Sequence, residues 1–320
     1  MALDLVSPNI LLVEDHPAQT AALHATLATI GFAKIRILPQ KSEVIVMLRC
    51  SALLAAIFSF TIMLMPERLQ AACLGAVARQ ERAAPTVPAR LIPASFQPAA
   101  VPANMTRITF IGHSTFLLET PQGVTAATDY NDYIRPPLRP DIVTMNYAHS
   151  THYTDSPEAG IRHVLRGWSY QDKPARHNVQ YKDMRVRNVP TNLRNYGNNT
   201  EYDGNSIFIF DTAGVCIAHL GHLHHKLTPG HLADLGKIDV LFVPVDGGFT
   251  LNIFDMQEVI TQVAAPLVIP MHYFSESTLE RFLVRLRDSH DIKLNDSPST
   301  LISRTTLPVK PSVLVLPGPH

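Results

Sequence analysis

The chain has 320 residues, 46% of them hydrophobic, enough to bury one large core or two moderate ones. Lysine plus arginine equals aspartate plus glutamate at 27 each, so neither net charge nor a basic stripe marks a nucleic-acid binder. Three widely spaced cysteines, Cys50, Cys73 and Cys216, supply neither a cysteine zinc knuckle nor a disulfide framework.

The first apolar run, Asn9-Ile10-Leu11-Leu12-Val13, ends in Glu14-Asp15 and reads as a strand. Alanine and leucine then recur at helical spacing from Ala18 to Ile30, with Gly31 as the stop. This strand, acidic pair and helix resemble the opening of a response-regulator receiver domain. Such a domain also needs a phospho-accepting aspartate on its third strand, yet no aspartate occurs between Asp15 and Asp129. Residues 1–46 are therefore expected to be a receiver-like fragment that cannot take phosphate, or an ordinary strand and helix.

Met47-Leu48-Arg49 is a basic start, and Cys50 to Met65 runs 16 residues without a charge. Ala71-Ala72 follow as small residues suited to cleavage, so residues 47–73 read as a secretory signal peptide or membrane anchor. The run is short for a span, which needs about 20 residues. The expectation is that translation starts at Met47, that residues 1–46 are an upstream extension, and that the protein is exported to the periplasm or tethered through residues 47–65. Acylation of Cys73 and a buried apolar helix are the alternatives. Alanine and proline dominate residues 74–103, which read as a linker.

Residues 104–320 carry the patterning of a globular α/β domain. Strands are predicted at Arg107–Ile111, Ser114–Glu119, Asp141–Met145, Met184–Val189, Ser206–Phe210, Val215–Leu220, Val240–Val243 and Leu267–Ile269. Helical spacing covers Phe254–Val263 and Thr278–Arg287, with a further helix after Thr228-Pro229. Two sheets between helical layers would use these elements. Several strands run directly into histidines: His149 and His152 after the strand at 141, His219, His222, His224 and His225 after the strand at 215, and His272 after Pro270-Met271. Neutral imidazole is a common ligand for zinc and related ions, and loops at one sheet edge can converge on an ion.

The order of Gly112-His113-Ser114-Thr115, Asp141-Ile142-Val143-Thr144, Gly204-Asn205-Ser206, His219-Leu220-Gly221 and Pro270-Met271-His272-Tyr273 resembles the metallo-β-lactamase superfamily, in its zinc-dependent hydrolase branch. The resemblance implies a four-layer αββα sandwich and a metal-dependent hydrolase acting on an ester, lactone, amide or phosphodiester of a small molecule. The family's first loop, His-x-His-x-Asp-His, falls on this chain with Tyr147 for the first histidine and Thr151 for the aspartate. His149 and His152 are retained. Asn192 or a neighbour stands where another histidine is expected, and His222 where a bridging aspartate is expected. Loss of two carboxylates leaves too little negative charge for two divalent ions. The expected site is thus one ion, zinc or another transition metal, held by His149, His152, His222 and His272. A pseudoenzyme that binds metal or ligand without turnover is the alternative.

Candidates for the chemistry are Asp155, as an imidazole-orienting group or proton acceptor if it is not a helix cap, and Tyr147, as a donor to an oxyanion if it does not merely fill space. His113 either lines the pocket or satisfies buried backbone. Asp129 and Asp132 read as turn residues or as shapers of the rim, Asp246 as a strand-end residue near the site that could support a ligand from behind, and at most one of His224 and His225 as a substitute ligand.

Overall fold

The computed structural model describes residues 100–195, 197 and 199–319, with the strand backbone at residues 10–12, 39–40 and 43–46. The chain divides into two units, Met1–Leu69 and Gln70–His320. In the first, β1 (Ile10–Leu12), β2 (Pro39–Gln40) and β3 (Glu43–Val46) form an antiparallel sheet in the order β1-β3-β2. The strand expected at residues 9–13 is this β1. The helix expected at 18–30, the apolar segment 47–73 and most of the linker lie outside the described residues. Among the described residues no helix is long and apolar enough to cross a membrane.

The second unit holds two mixed sheets. One has six strands in the order β16 (Ser299–Ile302), β4 (Thr106–Gly112), β5 (Thr115–Glu119), β6 (Thr125–Ala127), β7 (Ile142–Met145) and β8 (His163–Arg166). The other has eight: β15 (Asp291–Leu294), β17 (Ser312–Val315), β14 (Leu267–Met271), β13 (Val240–Pro244), β12 (Val215–His219), β11 (Thr200–Thr212), β10 (Met184–Arg194) and β9 (Asn178–Tyr181). Helices α1 (Pro229–Leu235), α2 (Ile253–Val263) and α3 (Glu276–Leu286) join the strands of the second sheet.

Period-two alternation decides which core each strand fills. Phe208 and Phe210 of β11 face a core shared between the sheets with Ile108, Phe116, Ile142 and Phe242, while Ile207 and Ile209 face the helices with Met256, Val259, Phe282 and Leu286. Phe116 stacks on Phe242 with ring centroids 4.1 Å apart, tying one sheet to the other. Burial of a side chain this size contributes about 1.5–3 kcal/mol. On the outer face of the six-stranded sheet, Ala127, Tyr130, Val143 and Met145 are covered by Tyr153, Ile161 and Trp168 from loops. The expected sandwich of two sheets is present, with its helices against the eight-stranded sheet and loops, not a helix, over the described outer face of the other.

The structure adds strands that the pattern did not reveal. β8, β9 and β15 are short and half-exposed, so they lack a continuous apolar face. β10 and β11 form a hairpin of 11- and 13-residue strands, longer than expected because their ends carry polar residues. Cys216 is buried on β12.

Candidate metal centre

Parallel pairing brings the site together. β6 and β7 run parallel in one sheet, and β12, β13 and β14 in the other. Ligands in such sheets gather beyond the carboxyl ends of the strands. Each of these five strands delivers a polar side chain just past its end: Asp129 after β6, His149 and His152 after β7, His222 after β12, Asp246 after β13 and His272 after β14.

One nitrogen from each of His149, His152, His222 and His272 lies within 4.8 Å of the other three. His149 Nε2 is 3.1 Å from His222 Nε2, and His152 Nε2 is 3.2 Å from His272 Nε2. The outward-facing Nδ1 of each ring has its own neighbour. His152 Nδ1 is 2.6 Å from Asp129 Oδ2, and His149 Nδ1 is 2.9 Å from Thr151 Oγ1. His222 Nδ1 is 2.6 Å from His224 Nε2. His272 Nδ1 is 3.1 Å from Asp246 Oδ1, close enough for an ion pair although outside hydrogen-bond alignment. Such outer partners orient metal-binding imidazoles.

Electrostatics favour neutral rings. Burial, reinforced by neighbouring imidazoles, holds His152 and His222 well below the ordinary histidine pKa and lowers His149 as well. Burial raises Asp129 above the usual carboxylate value, outweighing His219, Ser114 and Asn146, which favour its charged form. Burial also pushes Asp246 upward, but His272, Thr250 and the Gly248 N–H outweigh it and leave this carboxyl well below its usual value.

The scaffold explains several motif residues. Gly221 has φ +60°, and a Cβ there would collide with Asn205 Oδ1 and sit 2.5 Å from Asn146 Nδ2. Asn205 Oδ1 accepts the His222 N–H at 2.8 Å, fixing the backbone that carries the ring. Asn146 donates to Asp129 Oδ1 at 3.1 Å and accepts the Ser206 N–H at 2.7 Å. Three non-glycine residues here have left-handed backbone: His113 (φ 52°), Asp129 (φ 42°) and His272 (φ 54°). Such strain concentrates at functional sites.

Other expected residues fall differently. His113 lines the site: its ring centroid is 4.1 Å from that of His272, and its buried Nε2 has no hydrogen-bond partner among the described residues. Burial, then His272, lowers its pKa to about 3. Asp155 is exposed and makes no hydrogen bond or ion pair with the four histidines; the imidazole-orienting role expected of it falls to Asp129 and Asp246. Asp129 is not a simple turn residue, and the signal that could have found it is its place directly after β6. Tyr147 is 46% exposed and packs against Tyr153 and Trp168. Asn192 accepts the Asp203 N–H through its side chain and donates its own N–H to His225. His225 and His224 thus meet the backbone N–H groups of Asn192 and Arg194 at the end of β10. His219 is structural, with Nε2 2.9 Å from the Ser114 carbonyl oxygen.

A test of fit comes from the proton inventory. A carboxyl group beside Nδ1 of both His152 and His272 favours the tautomer with its proton there, which turns the Nε2 lone pair inward. Both Nε2 atoms then present lone pairs to one another across 3.2 Å, an arrangement that a cation between them relieves. Buried, carboxylate-backed imidazoles suit zinc and related transition ions.

Residues 107–272, just over half of the chain, match the family described as the beta-lactamase superfamily domain. A UPF0173 metal-dependent hydrolase of Carboxydothermus hydrogenoformans is 26% identical over 195 residues, covering 52% of this chain and 84% of that protein. A similarly named protein of Salinibacter ruber is 24% identical over 223 residues, or 58% of this chain and 92% of its own. Among solved structures, a candidate Zn-dependent hydrolase of the metallo-beta-lactamase superfamily from Thermotoga maritima is 28% identical, with TM-score 0.49, covering 67% of this chain and 100% of that one.

Proposed function

We propose that this chain, which belongs to the metallo-β-lactamase superfamily, is a hydrolase that holds one zinc ion and cleaves an ester, lactone, amide or phosphodiester bond of a small molecule. The observation that carries the reading is the convergence of four imidazole nitrogens within 4.8 Å, with Asp129 and Asp246 behind two of them. A bound divalent ion would act as a Lewis acid and lower the pKa of water held at the site to about 7.

The chain's own groups define the rest. Asp129 and Asp246 fix the tautomers of His152 and His272 and offset positive charge. Among the described residues they are the two carboxylates placed against the cluster, which supports one ion rather than two. His113 offers, beside His272, an Nε2 without a partner among the described residues, suited to an oxygen or N–H of a substrate. Phe274, exposed and 5.5 Å from the His113 and His272 rings, gives the substrate an apolar wall. Export through residues 47–73 belongs to the same reading and would place the substrate outside the cytoplasm.

A second reading is favoured by one feature: four imidazoles around one ion would close its shell, leaving a module that binds metal without turnover. Elemental analysis of the purified full chain, paired with a panel of esters, lactones, amides and phosphodiesters, separates the two. The proposal expects one zinc per chain and hydrolysis that a chelator abolishes and zinc restores. Stoichiometric zinc without turnover across the panel would favour the second reading, and protein that refuses zinc would sink both.

A further inference from the structure

Three imidazoles on a four-coordinate ion leave a position open, whereas four close it, so the proton on His222 matters. Arg194 at the end of β10 donates its backbone N–H to His224 Nδ1 at 2.5 Å. That nitrogen must present a lone pair, which leaves the single proton of neutral His224 on Nε2. His224 Nε2 lies 2.6 Å from His222 Nδ1 and donates to it. His222 Nδ1 is then an acceptor, and the proton of neutral His222 sits on Nε2, turned toward the cluster and 3.1 Å from His149 Nε2. A backbone amide always donates, so the direction of this chain is set at its outer end.

The other three rings are arranged the opposite way. Asp129 and Asp246 stand beside Nδ1 of His152 and His272, and the Thr151 hydroxyl can accept from Nδ1 of His149. Each of these rings can present its Nε2 lone pair inward. His222 alone, as placed, presents a hydrogen.

We infer that His149, His152 and His272 are the metal ligands, and that His222, locked by His224 as an Nε2–H donor, faces the open position and donates to an oxygen of the substrate or water held there. His224 is the positioning residue. A hydrogen-bond donor at the place where the family carries a bridging aspartate suits an oxygen that gains negative charge during bond cleavage. The ligand assignment rests on the proposed metal-dependent reading, whereas the proton positions hold for the metal-free protein as well.

The first test is on metal-free full chain labelled with 15N-histidine. Long-range proton–nitrogen correlation should show His222 protonated on Nε2 and bare on Nδ1, and the reverse pattern would overturn the inference. The second measures zinc affinity by competition with a chromophoric chelator. His222→Gln should keep one zinc per chain at nearly the parent affinity, whereas His152→Gln and His272→Gln should weaken it at least about 100-fold. His224→Phe frees His222 Nδ1 to take the proton and turns a lone pair inward, so zinc should bind about tenfold tighter or more. Loss of zinc in folded His222→Gln comparable to that in His152→Gln would refute the assignment. If zinc fails to bind the parent chain, the function falls separately, and the nitrogen spectrum still decides the tautomer.

Discussion

Asp129→Asn removes one charge at nearly constant shape, and its effect on metal binding follows from Asn146 and His152, which meet its two oxygens. Asn146 Nδ2 donates to one oxygen of Asp129, and the other oxygen is 2.6 Å from His152 Nδ1. In the variant the amide oxygen belongs opposite Asn146, which leaves the amide N–H facing His152. His152 must then expose its Nδ1 lone pair and carry its proton on Nε2, away from the tautomer that binds metal. Removing an outer partner of a metal-binding histidine typically costs about 10–100-fold in affinity. Tautomer reversal places this case at the upper end, about 2.7 kcal/mol for a factor of 100. The metal-free fold should not suffer equally. Burial raises the Asp129 pKa, so the carboxylate is costly to bury, and a neutral amide removes that cost. We expect zinc affinity, measured by chelator competition, to fall about 100-fold while the melting temperature of the metal-free variant holds or rises. Parent-level zinc affinity in folded Asp129→Asn would refute the view that this carboxylate sets the tautomer of His152.

Acid should destabilise the metal-free protein in a defined window. His149, His152 and His222 have folded pKa values below the ordinary histidine value, and burial lowers His113 to about 3 and His224 to about 4. The unfolded chain therefore binds protons first as pH falls through about 6.5, so stability is full above that value and declines below it. The raised Asp129 acts in the opposite sense, its burial cost being relieved as pH falls toward about 4, and the depressed Asp246 loses its stabilising contribution below about pH 4. Calorimetry from pH 8 to 5 checks the sign, and constant stability across that range would contradict it. Arg187→Met tests the scaffold apart from the site. The buried guanidinium donates to the Asp234 and Leu235 carbonyls that end α1, at 2.7 and 2.5 Å. Loss of these charge-assisted bonds should cost about 3 kcal/mol, or about 6–12 °C in melting temperature, with zinc binding by the folded variant unchanged.

Local pattern alone was enough for β4, β5, β7, β12, β13 and β14, because each is an apolar run with a clear end, and for α2 and α3, because their buried residues recur at helical spacing. It also placed His149, His152, His222 and His272 just past such runs, and the structure brings one nitrogen from each within 4.8 Å of the others; the grouping of these four as a metal site came from the family resemblance. The partners of those rings needed the tertiary structure. Asp129 reads as a turn residue until β6 is seen to run parallel to β7, a pairing between a three-residue strand and one that begins 15 residues beyond its end. Asp155 stands nearer the histidines in sequence yet points to solvent, while Asp246 reaches His272 because β13 and β14 end side by side. His224 is one of two adjacent histidines, and only the exposed amide of Arg194 at the end of β10 selects it as the ring behind His222. Periodicity records which face of a strand is buried; register between distant strands, set by packing of the two sheets, decides which polar groups meet at their ends.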